Sequence, residues 1–300
     1  MVRKSLFAFI GSGAVCLVLS LGGYYAFLKY HGKKILDEKY YIRTIVQTGP
    51  EKEALHTSYL AELLNLSIDH PVSLYAFDVK ESEKKLMVSP LIKSAKVKRI
   101  FPSAIYIDYE ARKPVAMLAD YKNTAIDRDG YLFPFSPFFS PKEIPELYIG
   151  LPSFEASEDA MGRKGGQWLA PLKNPFITLA FDVLRFLDGT PWRENFQLKK
   201  IDVSNAFAPS LGQREIVLFT EEKLVIRKMD EEVFCVLPKI LRVAPKDFAQ
   251  QLNHFFILRR NMEEDYRKQL ESIAVSTRFA SRIIDLRIPH LAFVQTKEVY

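Results

Sequence analysis

Residues Ser5 to Leu28 carry no charged side chain and consist mainly of Leu, Phe, Val, Ala and Gly. As one α-helix rising ~1.5 Å per residue they would extend about 36 Å, enough to cross the ~30 Å hydrocarbon core of a bilayer. Tyr24, Tyr25 and Tyr30 stand where an aromatic belt would meet the headgroups. A cleaved signal peptide is the competing reading. It would have an apolar core of about 7–15 residues and an A-x-A-like site, and Ser20-Leu21-Gly22 departs from that site. Gly13-Ala14-Val15 ahead of Cys16 likewise departs from a lipoprotein signal. The expectation is a retained transmembrane helix over 5–28. Arg3 and Lys4 nearly balance Lys29, Lys33 and Lys34 across it, so the short 1–4 tail, expected to be cytoplasmic, sets the orientation. Ala8, Ser12, Cys16 and Ser20 recur every four residues as a small-residue stripe. Two readings fit it: a surface for close helix packing, or the ordinary small-residue content of membrane helices.

The remaining length suits two folded units. The net charge of +6 is concentrated early, because residues 1–40 hold six bases against two acids. What is left, about +2, is too little for a nucleic-acid binder. Cys16 and Cys235 lie far apart in the chain and supply neither a disulfide framework nor a cysteine zinc site.

The first unit reads β-α-α-β-β. Tyr41–Val46 forms a strand closed by Thr48-Gly49-Pro50, and Ser58–Leu66 has helical apolar spacing. Asp78-Val79-Lys80-Glu81 is a capping box opening a second helix that must stop near Ser89-Pro90. Two strands follow, joined through Phe101-Pro102-Ser103. That loop sets Val97 opposite Ile107, Ala95 opposite Tyr109 and Lys96 opposite Asp108.

In the second unit, Asn174-Pro175 starts a helix and Asp188-Gly189 ends it. Strands are expected at Ile201–Val203, Ile216–Thr220 and Leu224–Arg227, the last two joined at Glu221-Glu222. Pro245 opens a helix with Phe248, Leu252, Phe255 and Phe256 on one side, and Glu263–Glu271 continues it or forms another. Ile283–Arg287 and Leu291–Gln295 form a closing hairpin.

Signs of catalysis are weak. Ser82-x-x-Lys85 matches a fragment of a serine acyl-transfer motif without its companions. Asp127-x-Asp129-Gly130 suits a polar hairpin turn better than a calcium loop, lacking the first acidic ligand and the closing Glu. His31, His56, His70, His254 and His290 have no metal spacing. Lys93, Lys96, Lys98 and Arg99 lack interleaved stacking aromatics and fit a solvated strand face. No catalytic, cofactor or metal residue is assigned.

The run Pro90-Leu91-Ile92-Lys93-Ser94-Ala95-Lys96-Val97-Lys98-Arg99-Ile100-Phe101-Pro102 resembles the POTRA hairpin of the FtsQ/DivIB family of bacterial cell-division proteins. Ile105–Ala116 is similar to that family's I-x-V-x-E-R-x-P-V-A continuation, with Ala111 interrupting the Glu-Arg pair. Ile126-Asp127-Arg128-Asp129-Gly130-Tyr131-Leu132-Phe133 resembles its I-D-x-x-G-x-x-F hairpin. Near the C-terminus, Ile283-Ile284-Asp285-Leu286-Arg287 is similar to its I-D-L-R-Y strand, with Ile288 in the aromatic's place.

The resemblance implies an α+β protein: tail 1–4, transmembrane helix 5–28, linker 29–40, POTRA-like domain 41–113, a larger FtsQ-type mixed domain 114–295 on an extended β-sheet, and tail 296–300. It further implies a non-enzymatic, cofactor-free divisome scaffold in the bacterial inner (cytoplasmic) membrane at the septum, its bulk outside the cytoplasm. Such a scaffold links early division proteins to septal peptidoglycan synthesis. Its partners would be FtsB-like and FtsL-like single-span proteins and other divisome components. In that family the C-terminal strand receives a strand from the FtsB-like partner, which makes Leu291, Ala292, Phe293, Val294 and Gln295 the candidate partner-binding residues. The competing reading of this strand is internal and structural. Two other functional classes stay open: a POTRA-bearing protein of outer-membrane assembly or secretion, and an envelope hydrolase with an unfamiliar site.

Overall fold

The computed structural model describes residues 2–151, 170–189, 196–228, 231–270 and 277–296. The chain divides into two compact units, Met1–Arg112 and Lys113–Tyr300. The class is α+β with a large mixed sheet.

The membrane-spanning helix is corrected. Helix α1 covers Val2–Leu36, running on through residues expected to be linker, but among the described residues no helix is long and apolar enough to cross a membrane. Helix α1 carries Arg3 and Lys4 ahead of its apolar run and Lys29, Lys33 and Lys34 behind it. The expected single-pass placement in the inner membrane falls with it. The side chains of Ala8, Ser12 and Cys16 lie outside the described residues, and Ser20 is exposed.

In the first unit, β1 (Thr44–Thr48) is followed by α2 (Thr57–Leu63), α3 (Val79–Met87), β2 (Ile92–Ile100) and β3 (Ala104–Ala111). The sheet order is β1-β3-β2, with β1 parallel and β2 antiparallel to the central β3. β1 starts later than its sequence suggests because Tyr41 bridges Ser73 and the Ile42 N–H donates to the Val72 carbonyl. Asp78 caps α3 by accepting the Glu81 N–H at 3.1 Å. Ser82 is buried, its hydroxyl donating to the Asp78 carbonyl, and Lys85 pairs with Glu81 at 3.2 Å. Both side chains are thus engaged on their own helix. Leu60, Leu74, Leu86, Val97, Ile105 and Ile107 make the core. Tyr109 joins them, its hydroxyl accepting the Leu55 N–H at 2.7 Å. Gly49 packs on that ring, and a Cβ there would lie 2.6 Å from it.

The second unit is built on a ten-stranded sheet. Its strands are β4 (Ala116–Leu118), β5 (Thr124–Ile126), β6 (Leu132–Pro134), β7 (Glu146–Tyr148), β8 (Phe196–Asp202), β9 (Ile216–Lys228), β10 (Glu231–Val243), β11 (Thr277–Arg278), β12 (Arg282–Asp285) and β13 (Phe293–Thr296). The order runs β13-β12-β10-β9-β8-β7-β4-β5-β6, with β11 beside β10. Two helices, α4 (Pro175–Asp188) and α5 (Phe248–Leu270), contribute Ile177, Ala180, Val183, Leu252 and Phe255 to one core with the sheet residues Leu218, Leu237 and Leu241. Alternate residues such as Val225 and Phe234 are exposed, as the period of two requires.

The turn expected at Glu221-Glu222 is replaced by one continuous strand, β9. Glu222 does not turn outward but points into the core face in step with Leu218, Thr220 and Leu224, all buried. The hairpin expected at Asp127–Gly130 is present. Asp127 Oδ1 accepts the N–H groups of Asp129 (3.0 Å) and Tyr131 (2.8 Å), and Gly130 takes φ +86°, a left-handed conformation that glycine adopts without strain.

Candidate functional site

The β12–β13 hairpin closes the large sheet on one side. Its register sets Ile284 opposite Val294 and Asp285 opposite Phe293. Ile284 and Leu286 are buried, so Val294 shares the core-side face while Phe293 lies on the other. The connecting loop turns at Ile288–Leu291, where the Leu291 N–H donates to the Ile288 carbonyl at 3.2 Å. Pro289 sits at the second position and His290 at the third with φ +61°, the positive φ that this class of turn requires.

An ion-pair network braces the hairpin. Arg287 grips Asp285 through Nε to Oδ1 (3.0 Å) and through its NH2 group to Oδ2 (2.7 Å). Arg242 of β10 reaches the same carboxylate at 3.4 Å and Glu215 at 2.6 Å, and Arg287 reaches Glu215 at 3.3 Å. Burial pushes the Asp285 carboxyl up, but the hydrogen bonds and charge of Arg287 outweigh it and hold the group below the usual carboxylate range. The Arg287 guanidinium is correspondingly raised, chiefly by its hydrogen bonds to Asp285.

Among the described residues β13 is the last strand in the sheet order, so alternate backbone N–H and C=O groups along it face away from β12. Phe293 is 79% exposed, and Ile288, Leu291 and Val294 are also exposed. Beside the strand runs a groove of about 450 Å³ between α5 and the hairpin loop, lined by Gln251, His254, Ile257, Leu286, Ile288 and Leu291 among others. The Gln251 side chain is spent on the fold, accepting the Ala244 N–H at 2.7 Å. His254 and His290 face one another with ring centroids 5.9 Å apart. Among the described residues no group of three His, Cys, Asp or Glu side chains is placed to hold a metal. No protein-family model and no curated protein matches this chain.

The five expected partner-binding residues fall together here. Leu291 and Ala292 lead into the strand, and Phe293, Val294 and Gln295 lie within it, all five exposed. The arrangement offers a peptide ladder with apolar anchors on both sides, which suits capture of an extended segment.

Sequence reasoning missed the groove and the residues that fix its helical wall. Glu222 on β9 and Lys239 on β10 are 1% and 2% exposed, their charged atoms 2.6 Å apart. Arg259 of α5 brings Nε to 2.9 Å from the second Glu222 oxygen, an ion-pair contact angled too poorly to count as a hydrogen bond. Lys239 also lies 5.7 Å from the centre of the Phe255 ring. The signal for Glu222 was available, because the alternation Ile216, Leu218, Thr220, Glu222, Leu224 passes through it unbroken.

Proposed function

We propose that this protein is a bacterial cell-division scaffold of the FtsQ/DivIB kind, linking early division proteins to septal peptidoglycan synthesis. It does so by protein–protein contacts, in which β13 takes up an extended segment of an FtsB-like or FtsL-like partner. The observation that carries the reading is the position of β13 at the sheet edge among the described residues, with Phe293 79% exposed. The family-like sequence runs support it by where they fall: on the β2–β3 hairpin, on the turn before β6, and on β12 with its Asp285–Arg287 brace.

An incoming strand would hydrogen-bond to the outward amides of β13 and place apolar side chains against Phe293 on one face and along the groove on the other. Amide direction alternates along the strand, so one of Phe293→Pro and Val294→Pro removes an outward donor and the other breaks the pairing to β12. The first should keep its circular dichroism spectrum and lose binding to the FtsB-like protein by at least about tenfold. A chain lacking residues 291–300 that stays folded and binds that partner unchanged would sink the reading.

A further inference from the structure

The end of α1 meets the rest of the first unit through a set of aromatic rings. Asp37 caps a 3-10 turn, Glu38–Tyr40, directly after the helix, and the Leu74 N–H donates to the Tyr40 carbonyl at 2.8 Å. This pairing sets Tyr40 beside Tyr75, with ring centroids 4.9 Å apart at 88°. Phe101, at the tip of the β2–β3 hairpin, backs both rings at 6.4 and 5.3 Å. Lys34 enters this cluster from the last turn of α1. Its Nζ is 4.5 Å from the Tyr30 ring centre, 5.1 Å from Tyr75 and 5.9 Å from Tyr40, and it donates to the Tyr75 hydroxyl at 3.1 Å.

Ring faces attract a cation through their quadrupoles, and here three of them, from three separate segments, converge on one ammonium. Hydrogen bonding to Tyr30 and then Tyr75 raises the Lys34 ammonium above its ordinary value, so it stays charged at any physiological pH. Lys33, its neighbour in the same turn, is exposed.

We propose that Tyr30, Tyr40 and Tyr75 form an ammonium-binding cage whose occupant is the chain's own Lys34, and that this contact clamps α1 in one direction on the rest of the first unit. The ligand class is a primary or guanidinium cation, and the site is filled in cis. A helix held in this way transmits a pull or a turn on α1 to the β1-β3-β2 sheet, where a flexible linker would absorb it.

Hydrogen exchange on the full chain tests the clamp. Lys34→Met keeps the length of the side chain and removes its charge. It should speed exchange of the amides of residues 30–36 by roughly three- to tenfold, leaving β2 and β3 unchanged. Lys33→Met, with the same effect on the helix terminus, should leave all these rates as they are. Lys34→Arg should restore protection, and Tyr75→Phe, which keeps the ring but loses the acceptor, should fall between. Equal effects of Lys33→Met and Lys34→Met would overturn the proposal. So would acceleration by Lys34→Met that extends equally through β2 and β3, since that would mark general loss of stability.

Discussion

Glu222 sits between two cations in a nearly dry site, its carboxylate shared by Lys239 and Arg259. Removing one partner of a buried ion pair leaves the others unpaired in low dielectric, at a cost of about 3–5 kcal/mol. Glu222→Gln should therefore lower the urea stability of the second unit by that order, although the side chain keeps its shape. Lys96→Ala provides the contrast. Lys96 stands opposite Asp108 on an exposed face, and such pairs contribute less than about 1 kcal/mol. Asp285 gives a pH-dependent test. Its folded pKa is depressed, so its contribution is present above the unfolded carboxylate value of ~3.9 and is lost as pH falls through the folded one. Asp285→Asn should thus be less stable than the native chain at pH 7, and the gap in urea midpoint should close progressively below about pH 4.

At the scale of elements, the β2–β3 hairpin carries a sharp test of register. Val97 is paired with Ile107 and buried, so Val97→Asp places a charge without a partner in the core, which is strongly unfavourable. A one-residue slip would invert the outcome and make Lys96→Ala the damaging change. The Val97 N–H donates to Glu83 Oε1 at 3.0 Å, so α3 shields part of the outer edge of β2, whereas among the described residues β13 has no strand beyond it. The outer edge of β2 is thus less open to an added strand than that of β13.

For the whole molecule, the division at Arg112–Lys113 implies two cooperative units. Each has its own buried cluster, one around Leu60, Leu86 and Ile107 and the other around Leu218, Val183 and Phe255. Scanning calorimetry of the full chain should resolve two transitions, and Val97→Asp should abolish one while leaving the other in place. Loss of both together would mean that the units unfold as one.

Local signals determined much of this protein. The caps at Asp78 and Asn174, the helix stop at Gly189, the Asp127–Gly130 turn and the Ala95/Val97 against Ile107/Tyr109 register each depend on neighbours within a few residues or on one short loop. What the sequence alone did not yield depends on partners far along the chain. β10 was not legible because Pro238 and Lys239 interrupt its apolar pattern. In the fold, Lys239 is neutralised by Glu222, while Pro238 lies in the gap between the β11 and β12 pairings, where a missing amide breaks no ladder on that side. The apolar run of α1 read as a membrane span, whereas among the described residues no helix is long and apolar enough for one. The groove beside β13 and the cage around Lys34 arise only where separate segments meet. Tyr30 meets Lys34 one turn along the same helix, but tertiary structure alone could bring Ile257 beside Leu291, or Tyr75 to the Lys34 ammonium, because no local pattern encodes a distance between residues that are far apart in the chain.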